Sequence, residues 1–244
     1  EISACLVGSE MCIRDRIIAL AERLGAGEES PRAYAENAFE FAKNEVKLMM
    51  EWPRGGAVGA LKAGCGMCLH KMSLLVALLR ANAIPARYRM DAVQIVREIY
   101  DAQGVAQDPL ARAVYANLGF VFGHGTVELL LDGEWLAGDV TWDEEVEVGM
   151  DLPISTLGMD PDGVWFFGVP GMSLRMEGLP VSLEIFGPLF PLMYRGMMDI
   201  TNERFEEARK IGRERLASIG RERYVELKKK FYVPVLPPGQ KRKE

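Results

Sequence analysis

Long apolar runs are missing from this chain. No stretch approaches the roughly 18 consecutive apolar residues of a membrane-spanning helix, so no helical span is expected. An excess of positive charge is missing too: a formal charge of −6 argues against general nucleic-acid affinity and reads as solubility. No calcium-loop motif occurs, and no internal repeat. Cysteine is sparse, four in 244 residues, and Cys5 and Cys12 fall in a segment with no partner pattern. That segment, residues 1–16, also lacks a methionine start and any clear amphipathic period. It reads as translated adapter sequence of the kind that contaminates metagenomic genes, and is set aside from fold reasoning. The natural, bacterial-looking protein is then expected to continue upstream of Ile17. What remains, 49% hydrophobic and 9% aromatic overall, suffices for one sizeable globular domain or a core domain with an appendage. No compartment can be read, and the cytoplasm is the default.

The stretch Gly64 to Tyr88 organises the chain. Met72, Leu75, Val76 and Leu79 recur at helical steps, with Cys68 four residues before Met72 on the same face. This predicts a buried helix that begins near Cys68 and ends around Asn82 and Ala83, before Pro85. A thiol in the first helical turn sits among unpaired backbone N–H groups at the positive end of the dipole, which favours thiolate and is expected to lower its pKa. Cys68 is therefore either a nucleophile or a small buried core residue.

A second stretch, Phe120 to Asp143, carries Asp132-Gly133 between two apolar runs. This pair predicts a two-residue hairpin turn. Leu131 then lies opposite Glu134 and Leu130 opposite Trp135. Two residues from Thr126, His124 shares a sheet face with Asp139 as its diagonal neighbour, within reach of a histidine–carboxylate bond. Cys68, His124 and Asp139 thus form a nucleophile, base and orienter set.

With these residues the chain resembles the transglutaminase-like superfamily, whose pattern runs G-x-C, L-L-R-A, G-I-P-A-R, H-x-x-x-E and D-G-x-W-x-x-x-D-x-T. Here Gly66-Met67-Cys68, Leu78-Leu79-Arg80-Ala81, Ile84-Pro85-Ala86-Arg87, His124 with Glu128, and Asp132-Gly133, Trp135, Asp139 and Thr141 supply it in order. The resemblance implies Cys68 as nucleophile, His124 as general base and acid, and Asp139 as the group that orients the imidazole. It also implies a papain-like, transglutaminase-like α+β core with no cofactor and a peptide or protein substrate. The expected reaction is hydrolysis of a peptide or amide bond through a thioester at Cys68. Transfer to an amine acceptor, as in protein cross-linking, and a non-catalytic peptide-binding module are the alternatives. The sequence departs from the pattern at Ala83, where glycine is usual, and at Gly125-Thr126, where many members carry a small residue and then an aromatic.

Other candidates surround this set. Trp52, in a loop from Trp52 to Ala63, either donates its indole N–H to an oxyanion or covers the core; the backbone N–H of Cys68 is the other donor. Cys65 forms C-x-x-C with Cys68. A metal site would need His70 and His124 as well, yet His70 projects away from Cys68 and is expected on the helix surface. A reversible disulfide between Cys65 and Cys68 is the milder alternative. No metal is expected. Glu128 shares the His124 face and either supports the cleft or is solvated.

The architecture expected is α+β, a helix bearing the nucleophile packed on an antiparallel sheet. Residues 17–149 form the catalytic domain and 150–244 a mostly helical extension. Glu144, Glu145 and Glu147 read as a solvated edge. Residues 150–195 read as irregular, with an apolar cluster at Val164 to Phe167. Thr201 to Lys230 carries a long helical stripe that Gly220 bends, and the tail from Pro234 is expected to be disordered.

Overall fold

The structure, a computed structural model, describes residues 15–189, 192, 195–228 and 232–236. The segment read as foreign, residues 1–16, lies outside these but for its last two positions, which begin a first helix, α1, over 15–23. Ser30 caps α2 (Pro31–Glu40), its hydroxyl accepting from the Ala33 N–H at 3.2 Å with proline in the first turn. A π-turn follows over Phe41–Glu45. Strand β1 (Lys47–Leu48) then pairs in parallel with β2 (Cys65–Gly66), and α3 (Gly56–Ala63) connects them.

Helix α4 (Cys68–Ala81) begins and ends where its sequence pattern places it. Ala83 adopts φ 56° and the Ile84 N–H reaches back to the Leu79 carbonyl at 3.0 Å. The missing glycine thus leaves an alanine in the left-handed region, a local strain that Pro85 then fixes as a stop. Tyr34 of α2 donates its hydroxyl to the Leu78 carbonyl at 2.6 Å, tying the two helices together.

A four-stranded sheet packs on α4. Its order is β5-β4-β3-β6, antiparallel throughout, with β3 Ala86–Ile95, β4 Val121–Leu131, β5 Glu134–Gly138 and β6 Phe166–Met176. Asp132 (φ 54°) and Gly133 (φ 84°) make the turn, and Leu131 pairs with Glu134 and Leu130 with Trp135, the register expected. Val127, Leu129 and Leu131 face the α4 core, so the alternate residues Thr126 and Glu128 face the other side. Two short helices, α5 (Arg97–Ala102) and α6 (Pro109–Leu118), bridge β3 to β4.

The expected boundary at 149 does not separate two bodies. Strand β6 lies beyond it, yet pairs along β3 from Tyr88 to Ile95 and completes the sheet. The acidic stretch is no solvated edge either: it forms α7 (Glu144–Gly149), and Glu147, fully buried, ion-pairs with Lys43 at 2.9 Å. After α8 (Val181–Phe186), the long helix α9 (Arg195–Ile219) crosses α7 closely, because Gly149 and Gly212 leave the backbones no side chain to separate them. Gly220 breaks it before α10 (Arg221–Leu227). The tail is held at its start: the Val235 N–H donates to the Ile95 carbonyl at 2.8 Å, and Tyr115 donates to the Val235 carbonyl at 2.7 Å. Residues 237–244 lie outside the described ones. Among the described residues no helix is long and apolar enough to cross a membrane.

Candidate functional site

The site is built where the first turn of α4 meets a distortion in β4. Asp91 pairs with His124 but the next residue, Ala92, pairs with Phe122, so Gly123 bulges out with φ 89°. Such a bulge re-aims the neighbouring side chain. His124 follows it, and the Cys68 Sγ sits 3.8 Å from the Gly123 carbonyl. On the other side, a Cβ at Gly125 would meet the flexible end of the Met72 side chain of α4.

His124 is 8% exposed and its Nε2 lies 3.1 Å from the Asp139 Oδ2. The Thr126 hydroxyl is 3.4 Å from the same nitrogen. With Nε2 committed to Asp139, Nδ1 is the ring nitrogen left for another partner. Asp139 lies one residue past the end of β5, buried, and takes the Thr141 N–H on its other oxygen at 2.9 Å. Burial alone would raise its pKa, but His124 and Thr141 together hold the carboxyl below its ordinary value. The Phe166 ring of β6 lies against the imidazole, centroids 3.8 Å apart and tilted by 32°. The sequence marked Phe166 as part of an apolar cluster but gave it no site, because the strand that carries it reads as irregular.

The lowered thiol pKa expected from the helix terminus is not what the fold produces. Burial pushes the Cys68 thiol up to about 11; the Gly125, Leu69 and Cys68 N–H groups favour the thiolate, and the Asp139 charge opposes it. Desolvation outweighs the helix N-terminus here. A cavity of about 120 Å³ opens beside the thiol, with Cys68, Gly123, His124, Trp142 and Phe166 in its wall.

The other candidates lie elsewhere. Trp52 is not in this cleft: its ring meets His70 edge-on at 4.7 Å, and both line a second cavity of about 540 Å³ with Arg54 and Leu183. The tryptophan beside the thiol is Trp142. His70 is not on the helix surface but 3% exposed, with its Nδ1 buried and unpartnered. Burial lowers its pKa to about 4 against the pull of the Pro53 carbonyl. Cys65 and Cys68 are both free thiols, and Cys65 is 3.7 Å from the Glu51 carboxylate, with its pKa raised by burial and by that charge. Among the described residues no cluster of His, Cys, Asp and Glu is placed to hold a metal ion.

Glu128 is buried among three arginines, bonded to Arg87 at 2.7 Å and Arg175 at 2.9 Å, with Arg89 at 3.9 Å. Although burial opposes it, Arg175 and Arg87 hold its pKa below the ordinary value. Arg89 in turn grips both oxygens of Asp160 at 2.7 Å each. This network braces the sheet face that carries His124, its bonds joining residues 41, 47 and 71 positions apart.

The family model of the transglutaminase-like superfamily matches residues 18–140. A search of the curated proteins finds no match. Among solved structures, one described as "a Putative Cysteine Protease from Cytophaga hutchinsonii" is similar at 16% identity and a TM-score of 0.39, over 68% of this chain and 47% of that one. The chain thus spans about half the length of that relative.

Proposed function

The chain belongs to the transglutaminase-like superfamily, and on that premise we propose that it is a cysteine hydrolase acting on a peptide or amide bond, with Cys68, His124 and Asp139 as its catalytic set. The observation that carries this reading is the 3.1 Å bond from the His124 Nε2 to a buried carboxylate, in a cleft that also holds Cys68. In this reading Cys68 gives its proton to the His124 Nδ1 as sulfur attacks the substrate carbonyl. The resulting imidazolium is stabilised by Asp139, which stays ionised. The backbone N–H of Cys68, at the start of α4, is the donor assigned to the oxyanion. The C–N bond then breaks, His124 returns the proton to the leaving amine, and a thioester remains. Water, deprotonated by His124, attacks the thioester, releasing the acid and restoring the thiol.

Because burial pushes the thiol pKa up, Cys68 needs an acceptor for its proton, and in this reading His124 is that acceptor. Intact-mass detection of an adduct from a chromogenic amide or ester tests the reading. A covalent acyl adduct on the full chain, absent from Cys68→Ala, is expected; turnover persisting in Cys68→Ala would rule out the nucleophile. Adding a primary amine to the same reaction reads acceptor choice, since amide product in place of acid would make transfer the activity.

A further inference from the structure

We propose that the cavity beside Cys68 is an acyl-group pocket that selects a branched aliphatic side chain next to the reacting carbonyl. This rests on the acyl-enzyme reading above and adds the substrate class. Cys68, Gly123 and His124 form part of the cavity wall, so a carbonyl held at Sγ directs its substituent inward. The remaining wall is brought together from distant parts of the chain: Met67 before α4, Val93 and Ile95 of β3, Phe166 of β6 and Met197 of α9.

Charge is absent from this wall. Besides Cys68 and His124, its side chains with polar atoms are Gln103, Thr141 and Trp142, and no Asp, Glu, Lys or Arg is among the lining residues. A carboxylate or ammonium entering it would lose hydration without gaining a partner. A glutamine carboxamide is the closest competitor, because the wall residues Thr141 and Trp142 each hold a buried polar atom without a partner. Size sets the other limit. A cavity of about 150 Å³ lined by Leu, Ile and Phe holds a benzene, so about 120 Å³ takes an isobutyl group and leaves no room for an indole. Met197, in the first turn of α9, is the wall whose truncation would enlarge the space.

The test uses the full chain and the p-nitrophenyl esters of N-acetyl leucine, alanine, tryptophan, glutamine and glutamate, reading kcat/KM together with the mass of the acylated protein. The leucine ester is expected to exceed the alanine ester by about 10-fold or more, the tryptophan and glutamate esters by at least as much, and the glutamine ester by less. Met197→Ala is expected to raise the tryptophan ester relative to the leucine ester. The wild-type series decides the matter even where Met197→Ala proves too unstable to purify. Acylation of Cys68 at similar rates across the series, or faster from glutamine or glutamate, would overturn the pocket and leave the acyl-enzyme reading standing. Failure of every ester to acylate Cys68 would overturn that reading and the pocket with it.

Discussion

The two histidines, His70 and His124, are almost equally buried, at 3% and 8% exposure, yet the fold makes them chemically different. His70 has an aromatic edge, one backbone carbonyl and a nitrogen with no partner, and burial drives its pKa to about 4. A ring so placed stays neutral and takes up no second proton in the physiological range. His124 faces a buried carboxylate at 3.1 Å, the partner that the proposed proton transfer from the thiol needs and that His70 lacks. Burial removes charge from an imidazole; a carboxylate partner restores its use as a base. The same contrast recurs between Lys71, one residue along α4, and Lys43 of the segment Phe41–Glu45, both fully buried. Lys43 has the Glu147 carboxylate at 2.9 Å, whereas Lys71 donates only to the Lys43 carbonyl at 2.8 Å.

Substitutions can break this contrast, from the largest expected effect downward. Cys68→Ala should take turnover below detection while leaving the unfolding transition nearly unchanged, as circular dichroism would show. His124→Ala should lower kcat/KM by about 10²–10⁴, the usual worth of a general base. A loss no greater than that of His70→Phe would erase the distinction between the two rings. Asp139→Asn should cost less, on the order of 10², because the ring keeps its place but loses the charge beside it.

A stability measurement sharpens the same rule outside the imidazoles. Burial lowers the Lys71 pKa to about 7, with Asp143 and Glu147 opposing it. Between that value and the ordinary lysine pKa the unfolded chain binds the extra proton, so stability rises with pH across that window. The expected result is a Tm that climbs by a few degrees between pH 7 and 10 in the wild type more than in Lys71→Met. Equal slopes in the two would mean that Lys71 keeps its proton in the fold. The smallest effect belongs to His70→Phe, which should leave kcat/KM unchanged and shift stability by about 1 kcal/mol or less, since one lost bond to a carbonyl is offset by removing an unpartnered nitrogen.

Local chemistry made the centre of the fold readable. A turn pair that demands positive φ placed Asp132 and Gly133, and with them the strand register that brings His124 to Asp139. Apolar spacing and a proline stop placed α4, and with it Cys68. What stayed hidden depends on contacts between distant residues. Strand β6 contains Gly168, Pro170 and Gly171, which read as irregular until β3 is there to pair with it. Lys43, Lys71 and Glu147 look like surface residues on their own helices, because the partners that make their burial tolerable lie up to 112 residues away. The thiol pKa followed the same course: the helix terminus is legible at Cys68, but the burial that outweighs it is set by tertiary packing. Trp52 and His70, both drawn into readings of the site by their residue type, turn out to pack on each other.

The most direct test of the central claim is the pH dependence of iodoacetamide labelling at Cys68, followed by intact mass in a Cys65→Ser background with and without His124. With His124 present, labelling should reach half its maximal rate at a lower pH than without it, since the imidazole takes the thiol proton. In His124→Ala the midpoint should move up, because burial and the Asp139 charge then act on the thiol with no imidazole to take its proton. Superimposable profiles for the two proteins would contradict the account, because they would mean that His124 does not govern the proton on Cys68.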